Sequence, residues 1–101
     1  MVHIDPATLN HTFSKHGQDF GIPGAWTKAN GTLLERAIQA HVSNPAVQQI
    51  AGTYRGTMRV IHYWDPVTDL WVAVDAANNF VAGWRLSPRQ RNYLLRSGNV
   101  Q

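Results

Sequence analysis

Thr53-Tyr54-Arg55-Gly56-Thr57-Met58-Arg59-Val60-Ile61-His62-Tyr63-Trp64 is the stretch that decides the fold. Tyr54, Met58, Val60, His62 and Trp64 fall on one side at a two-residue period, and Arg55, Thr57, Arg59 and Tyr63 fall on the other. Successive side chains of an extended backbone point to opposite faces, so the alternation predicts a strand half-buried against a core. Toward the C-terminus, residues 65–69 (Asp-Pro-Val-Thr-Asp) read as a turn, residues 70–75 as a second strand, residues 76–79 as another turn and residues 80–86 as a third strand. Strands joined by such short turns form an antiparallel meander. Ser87-Pro88, with Gln90 at the capping-box position, opens a closing helix, and Gly98 ends it.

Toward the N-terminus the period becomes helical. Asp5-Pro6 is an N-cap followed by proline at the first helical position, and Leu9, Phe13 and His16 then share one face up to a stop at Gly17. Residues 17–31 carry four glycines and Pro23, with Phe20, Ile22 and Trp26 as apolar pins, which predicts an ordered loop. Thr32 and Glu35 make a capping box for a second helix with the stripe Leu33, Leu34, Ala37, Ile38, His41 and Val42. Pro45 interrupts it, and residues 46–50 add a short helical turn. The expected fold is therefore α+β: N-terminal helices, a three-stranded or larger antiparallel meander sheet and a C-terminal helix, with the helices against one sheet face. No repeat, low-complexity tract or linker divides residues 1–101, which read as a single domain.

Composition narrows the function. At 101 residues and 44% hydrophobic, the chain can bury one real core but not two. Nine Lys+Arg against six Asp+Glu give a net charge of +3, which suits an anionic partner and also serves solubility alone. Without cysteine there is neither disulfide nor thiolate chemistry. No apolar stretch has the form of a signal peptide or approaches the roughly 20 residues of a membrane span, so an exported protein would carry its address elsewhere in a longer polypeptide. Metal binding is disfavoured, because no close histidine pair is joined by suitably spaced carboxylates, and Asp65, Asp69 and Asp75 belong to turns or strand ends.

Ser14-Lys15-His16-Gly17 sets an imidazole beside a fixed positive charge. Cleaving RNA without a metal requires a proton to leave the 2′-OH, charge to build at phosphorus, and a proton to reach the departing 5′ oxygen. A histidine can move those protons and nearby cations can stabilise the charge. Lys15 lowers the His16 pKa and a helix C-terminus raises it, so the sequence leaves the protonation state open. Spacing alone favours a plainer reading, in which His16 completes the Leu9/Phe13 stripe and Lys15 is solvated. Arg55 and Arg59 share a strand face, and Arg85, Arg89, Arg91 and Arg96 follow with no acid among them. Such a run either grips phosphates or forms a solvated helix face. Of the other histidines, His41 belongs to the apolar stripe, His62 is a candidate second proton donor, and His3 and His11 read as incidental.

Lys15-His16, Asp19-Phe20-Gly21-Ile22, Gly52-Thr53-Tyr54-Arg55-Gly56 and Val81-Ala82-Gly83-Trp84-Arg85 come in that order with compatible spacing. In this the chain resembles, from about residue 9 onward, the C-terminal nuclease domain of colicin D, a family that includes toxin tips of contact-dependent inhibition and other polymorphic toxin systems. The resemblance implies a barnase/colicin-D-like architecture and a metal-independent endoribonuclease that cuts tRNA in the anticodon loop, leaves a 2′,3′-cyclic phosphate and needs no cofactor. It also implies an acidic cognate immunity protein as partner. The domain would form the C-terminal part of a larger secreted or cell-surface toxin acting in the cytoplasm of a target bacterium. By the same resemblance His16 is the catalytic histidine with Lys15 beside it. Thr53, Tyr54, Arg55, Trp84 and Arg85, with His62, are the expected substrate-binding set. Alternation with Phe80 and Leu86 instead assigns Trp84 to the core; stacking on an unpaired base reconciles the two if that sheet face is only partly covered. One residue departs from the family: Ala82 stands where a serine is usual, so Thr53, Thr57 or a backbone N–H must supply the missing phosphate contact. The alternative is a non-catalytic RNA- or partner-binding module using the same basic face.

Overall fold

The structure, a computed structural model, describes residues 1–101. Helix α1 (Pro6–His16) runs into a single 3₁₀ turn (Gly17–Phe20), and α2 (Lys28–Ser43) follows a loop. Strands β1 (Gln48–Tyr54), β2 (Met58–Trp64), β3 (Leu70–Asp75) and β4 (Phe80–Arg85) then precede α3 (Pro88–Ser97) and the short β5 (Asn99–Val100). The five-stranded sheet has the order β4-β3-β2-β1-β5, antiparallel except where β5 lies parallel to β1. No helix is long and apolar enough to cross a membrane.

The caps follow local chemistry. The Asp5 carboxylate accepts the N–H groups of Ala7 and Thr8, and Ser87 and Gln90 close a reciprocal capping box on α3. Helix α2 begins earlier than the Thr32/Glu35 pattern predicts, because the Thr27 hydroxyl accepts the Asn30 N–H and caps the helix first. Thr32 then lies inside α2 and donates back to the Lys28 carbonyl.

The stretch around residues 53–64 is a hairpin rather than one strand. Tyr54 pairs with Met58 across residues 55–57, with Arg55 at φ 54° and Gly56 at φ 81°. Cross-strand partners share a face, so the two-residue alternation passes through the turn unbroken and conceals it. Residues 48–50, expected to be helical, instead open β1 against β2.

The helices also divide between the two sheet faces, instead of covering one. Leu9, Phe13, Leu34 and Ile38 pack with Val72, Val74 and Phe80 on one side. Leu94 of α3 and Val100 pack with Trp64, Trp71, Ala73 and Ala82 on the other. β3 is consequently buried on both faces, with Trp71, Val72 and Ala73 all fully inaccessible. Burying a Leu or Ile side chain contributes roughly 1.5–3 kcal/mol, so the fully buried Leu34 and Ile38 anchor α2 strongly.

The β5 edge is fixed by a close backbone approach. The Gly98 carbonyl accepts the Thr53 N–H at 2.9 Å and lies against Gly52, where any Cβ would overlap its oxygen. The same carbonyl is 2.9 Å from His62 Nε2, while His62 Nδ1 accepts the Trp71 indole N–H at 2.9 Å. An acceptor Nδ1 leaves the proton on Nε2, so His62 is a neutral latch joining β2, β3 and the start of β5.

Candidate active site

Helix α1 lies along β4, and its last turn brings Lys15 and His16 to the edge of the sheet. The 3₁₀ turn folds Asp19 back beneath them. Asp19 Oδ2 is 3.7 Å from His16 Nδ1 and accepts the Arg85 backbone N–H at 3.1 Å, fixing the end of β4 against the end of α1. The His16 ring sits 5.2 Å from that of Trp84. Trp84 packs edge-on against Trp71 at 4.6 Å and donates its indole N–H to Gln90 Oε1 at 3.3 Å. Tyr54 reaches to 6.3 Å from Trp84 although β2 and β3 separate their strands in the sheet, so the sheet is strongly curled.

That curl creates a cleft of about 190 Å³. Thr8, His11, Thr12 and His16 form its α1 wall; Tyr54 and Arg55 face them from the end of β1, and β4 supplies the floor with Ala82, Gly83 and Trp84. Partial burial holds the His16 imidazole below 6.5. Asp19 pulls it back up, and the charges of Lys15 and His11 push it down. Neutral imidazole is thereby favoured near neutral pH, a state equipped to accept a proton.

The predicted residues separate into three groups. His16, Tyr54, Arg55 and Trp84 meet in the cleft; the Arg55 guanidinium lies 5.1 Å over the Tyr54 ring and its backbone N–H donates to the Val100 carbonyl at 2.7 Å. Lys15 and Arg85 are exposed beside the cleft without lining it, and Lys15 acts on His16 through its charge. Thr53 and His62 are engaged elsewhere. The Thr53 hydroxyl donates to Asn99 Oδ1 at 2.9 Å, and His62 is 0% exposed with both ring nitrogens bonded, leaving none to offer a phosphate. Trp84 is half-buried in the core beside Trp71 and also lines the cleft.

Sequence reasoning missed Asp19 and His11. Asp19 was legible as an acid three residues beyond His16, but only the 3₁₀ turn reveals that it also clamps β4. His11 was legible as one residue before Thr12 and three after Thr8 on α1, the row that forms the cleft wall.

A larger, open hollow of about 810 Å³ lies along α3, lined by Arg89, Gln90, Tyr93 and Arg96 among others. Arg91 is not part of it and pairs with Asp69 at 3.0 Å. The hollow holds no histidine or carboxylate side chain, and Gln90 connects it to the smaller cleft through Trp84.

A family model described as Colicin D matches residues 8–94. The chain belongs to the colicin D family. Both Lys15-His16 and the β4 segment ending in Trp84-Arg85 fall within the matched range. Among solved structures the chain is similar to a ribonuclease from Escherichia coli complexed with its inhibitor protein. That likeness has a TM-score of 0.79 and 28% sequence identity, and covers 91% of this chain and 99% of the other. A search of curated proteins finds no match. The α+β architecture anticipated for a colicin D relative is thus the one this chain adopts, with His16 lining a cleft and Lys15 exposed beside it.

Proposed function

We propose that this chain is a ribonuclease toxin domain, the C-terminal portion of a longer polypeptide, that cleaves tRNA without a metal ion. Family membership and the likeness to a ribonuclease support the activity. The observation that carries the mechanism is His16, only partly buried, held below its ordinary pKa and placed against Trp84 in a cleft that also contains Arg55.

His16 takes the proton of a 2′-OH, and the resulting oxygen attacks the adjacent phosphorus. The P–O5′ bond breaks as the new bond closes, giving a 2′,3′-cyclic phosphate, and the departing 5′ oxygen takes up a proton to leave as a 5′-OH. Arg55 stabilises the charge that builds on the phosphoryl oxygens, and Trp84 offers an aromatic edge to an unpaired base. Lys15 biases His16 toward its neutral form and adds positive potential at the entrance. Arg85, exposed one residue beyond Trp84, holds the strand as it leaves. Backbone amides of the β4 floor take the place of the serine hydroxyl missing at Ala82, since Thr53 is committed to Asn99. A single-stranded anticodon loop is the substrate such a narrow cleft admits most readily, because its bases are already splayed. An acidic immunity protein covering Arg55, Arg85 and Lys15 would silence the site, as the inhibitor-bound state of the related ribonuclease suggests.

The test is incubation of purified protein with total tRNA in EDTA. Cleavage should produce cyclic phosphate ends and fall by about 10²–10⁴-fold in His16→Ala. Absence of cleavage, or cleavage indifferent to His16, refutes this reading and leaves a binding module.

A further inference from the structure

We infer that His11 is the general acid of the same reaction, delivering a proton to the departing 5′ oxygen while His16 receives one from the 2′-OH. The inference rests on the ribonuclease reading above and concerns how its protons are divided. One proton must be removed and another supplied as the 2′-O–P bond forms and the P–O5′ bond breaks. A neutral His16 that has just become the acceptor has none to give in that step.

The cleft contains few alternatives. Of the five histidines only His11 and His16 line it; His41 and His62 are tied to the carbonyls of Tyr63 and Gly98. Arg55 remains protonated at any working pH and serves as a cation, not a donor that cycles. Tyr54 is only 7% exposed and its ring lies under the Arg55 guanidinium. The hydroxyls of Thr8 and Thr12 are far too weakly acidic. His11 is exposed and lines the same cleft on the α1 wall, five residues before His16.

Both imidazoles line one cleft from the same helix. Thr8, Thr12 and His16 form one row at four-residue spacing, while His11 lies on the other flank of Thr8 and Thr12. A five-residue separation is about 7.5 Å along the axis and roughly 140° around it, so the histidines bracket the threonine row from two sides. An in-line displacement needs its acceptor and donor on opposite sides of phosphorus, each within about 2.6–3.2 Å of its own oxygen. The His11 charge lowers His16, so the two lie close enough to share one electrostatic environment.

The discriminating substrate is an oligonucleotide spanning the cleaved bond, made once with the natural 5′ oxygen and once with a bridging 5′ sulfur. A thiolate leaves without protonation, so the sulfur substrate does not need the acid. His11→Ala and His11→Gln should lose about 10²–10⁴-fold on the oxygen substrate and recover to within about tenfold of the parent on the sulfur one. His16→Ala should be impaired on both. Unchanged thermal denaturation establishes that the exposed His11 position tolerates both substitutions. Loss of less than about threefold on the oxygen substrate, or equal loss on both, overturns the assignment to His11 while leaving His16 and the ribonuclease reading intact. A parent protein that cleaves neither substrate nor tRNA overturns the ribonuclease reading itself.

Discussion

Lowering the pH from about 7.5 to about 5.5 should unfold this domain more readily, because two of its buried histidines are built to be neutral. His62 is 0% exposed, and protonating its Nδ1 would set a second N–H against the Trp71 indole N–H that it now accepts. His41 is 7% exposed, with Nε2 2.8 Å from the Tyr63 carbonyl. Burial holds both below 6.5, with the carbonyl contacts acting in the opposite sense. In the unfolded chain both take up protons as the pH passes 6.5, and in the folded chain they resist. The unfolded state then binds more protons, so stability rises with pH: the full contribution is present above 6.5 and is lost as the pH falls toward the depressed native values. Each group contributes at most about 1.4 kcal/mol per pH unit, and over this interval the pair can remove up to about 2.7 kcal/mol. For a domain of this size that is a fall in Tm of about 10–20 °C. His16, a third exposed at its side chain, adds a smaller share, and Asp75, held below 3.8 chiefly by the Asn79 N–H, titrates beneath the window. Thermal denaturation followed by circular dichroism across the pH series measures the effect. His62→Gln, which keeps polar atoms but cannot titrate, should melt lower at about pH 7.5 yet lose roughly half of the pH dependence. A Tm that stays within about 3 °C across the range, or a His62→Gln protein with the full pH slope, would refute the assignment of these imidazoles as neutral structural groups.

Gly52→Ala drives a methyl group into the Gly98 carbonyl, endangering two hydrogen bonds at about 1 kcal/mol each plus about 1–3 kcal/mol of overpacking; a Tm loss above about 10 °C is expected in a melting curve, and a loss of a few degrees would show that β5 can simply move away. Asp19→Asn removes the charge that raises His16, whereas Lys15→Gln removes one that lowers it. The acidic limb of the kcat/KM profile should accordingly move to lower pH in the first and to higher pH in the second, and shifts in the same direction would separate that limb from His16. Joint replacement of Arg89 and Arg96 by Ala should weaken cleavage of whole tRNA and reduce the salt slope by about 1.4–1.8 while sparing a dinucleotide substrate; equal loss on both substrates would place the α3 hollow in the chemistry rather than in binding.

The caps, the meander and the closing helix were legible because each depends on neighbours in sequence: Asp5 with Pro6, Ser87 with Gln90, the residues 65–69 and 76–79 turns. The hairpin at residues 55–57 escaped because period-two alternation reports which face a residue occupies and is silent about chain direction, and Tyr54 and Met58, as cross-strand partners, preserve the phase. Positive φ at Arg55 was equally unreadable, since arginine carries no sign of a left-handed turn; that conformation aims its N–H at Val100 while the guanidinium covers Tyr54. His62 and His11 ended in places their local patterns did not foretell, for one tertiary reason. Sheet curl carries Tyr54 toward Trp84, opening a cleft on the α1 side where His11 stands, and the approach of Gly98 to Gly52 seals the region that His62 occupies. A histidine on an apolar strand face becomes a partner for backbone when a carbonyl from elsewhere arrives within 2.9 Å, and one on an exposed helix turn comes to line a cleft only when a second wall is built opposite it. Both events are set by contacts between residues more than 30 positions apart, so a motif could single out His16 as a candidate, while the surroundings of each histidine had to come from the fold.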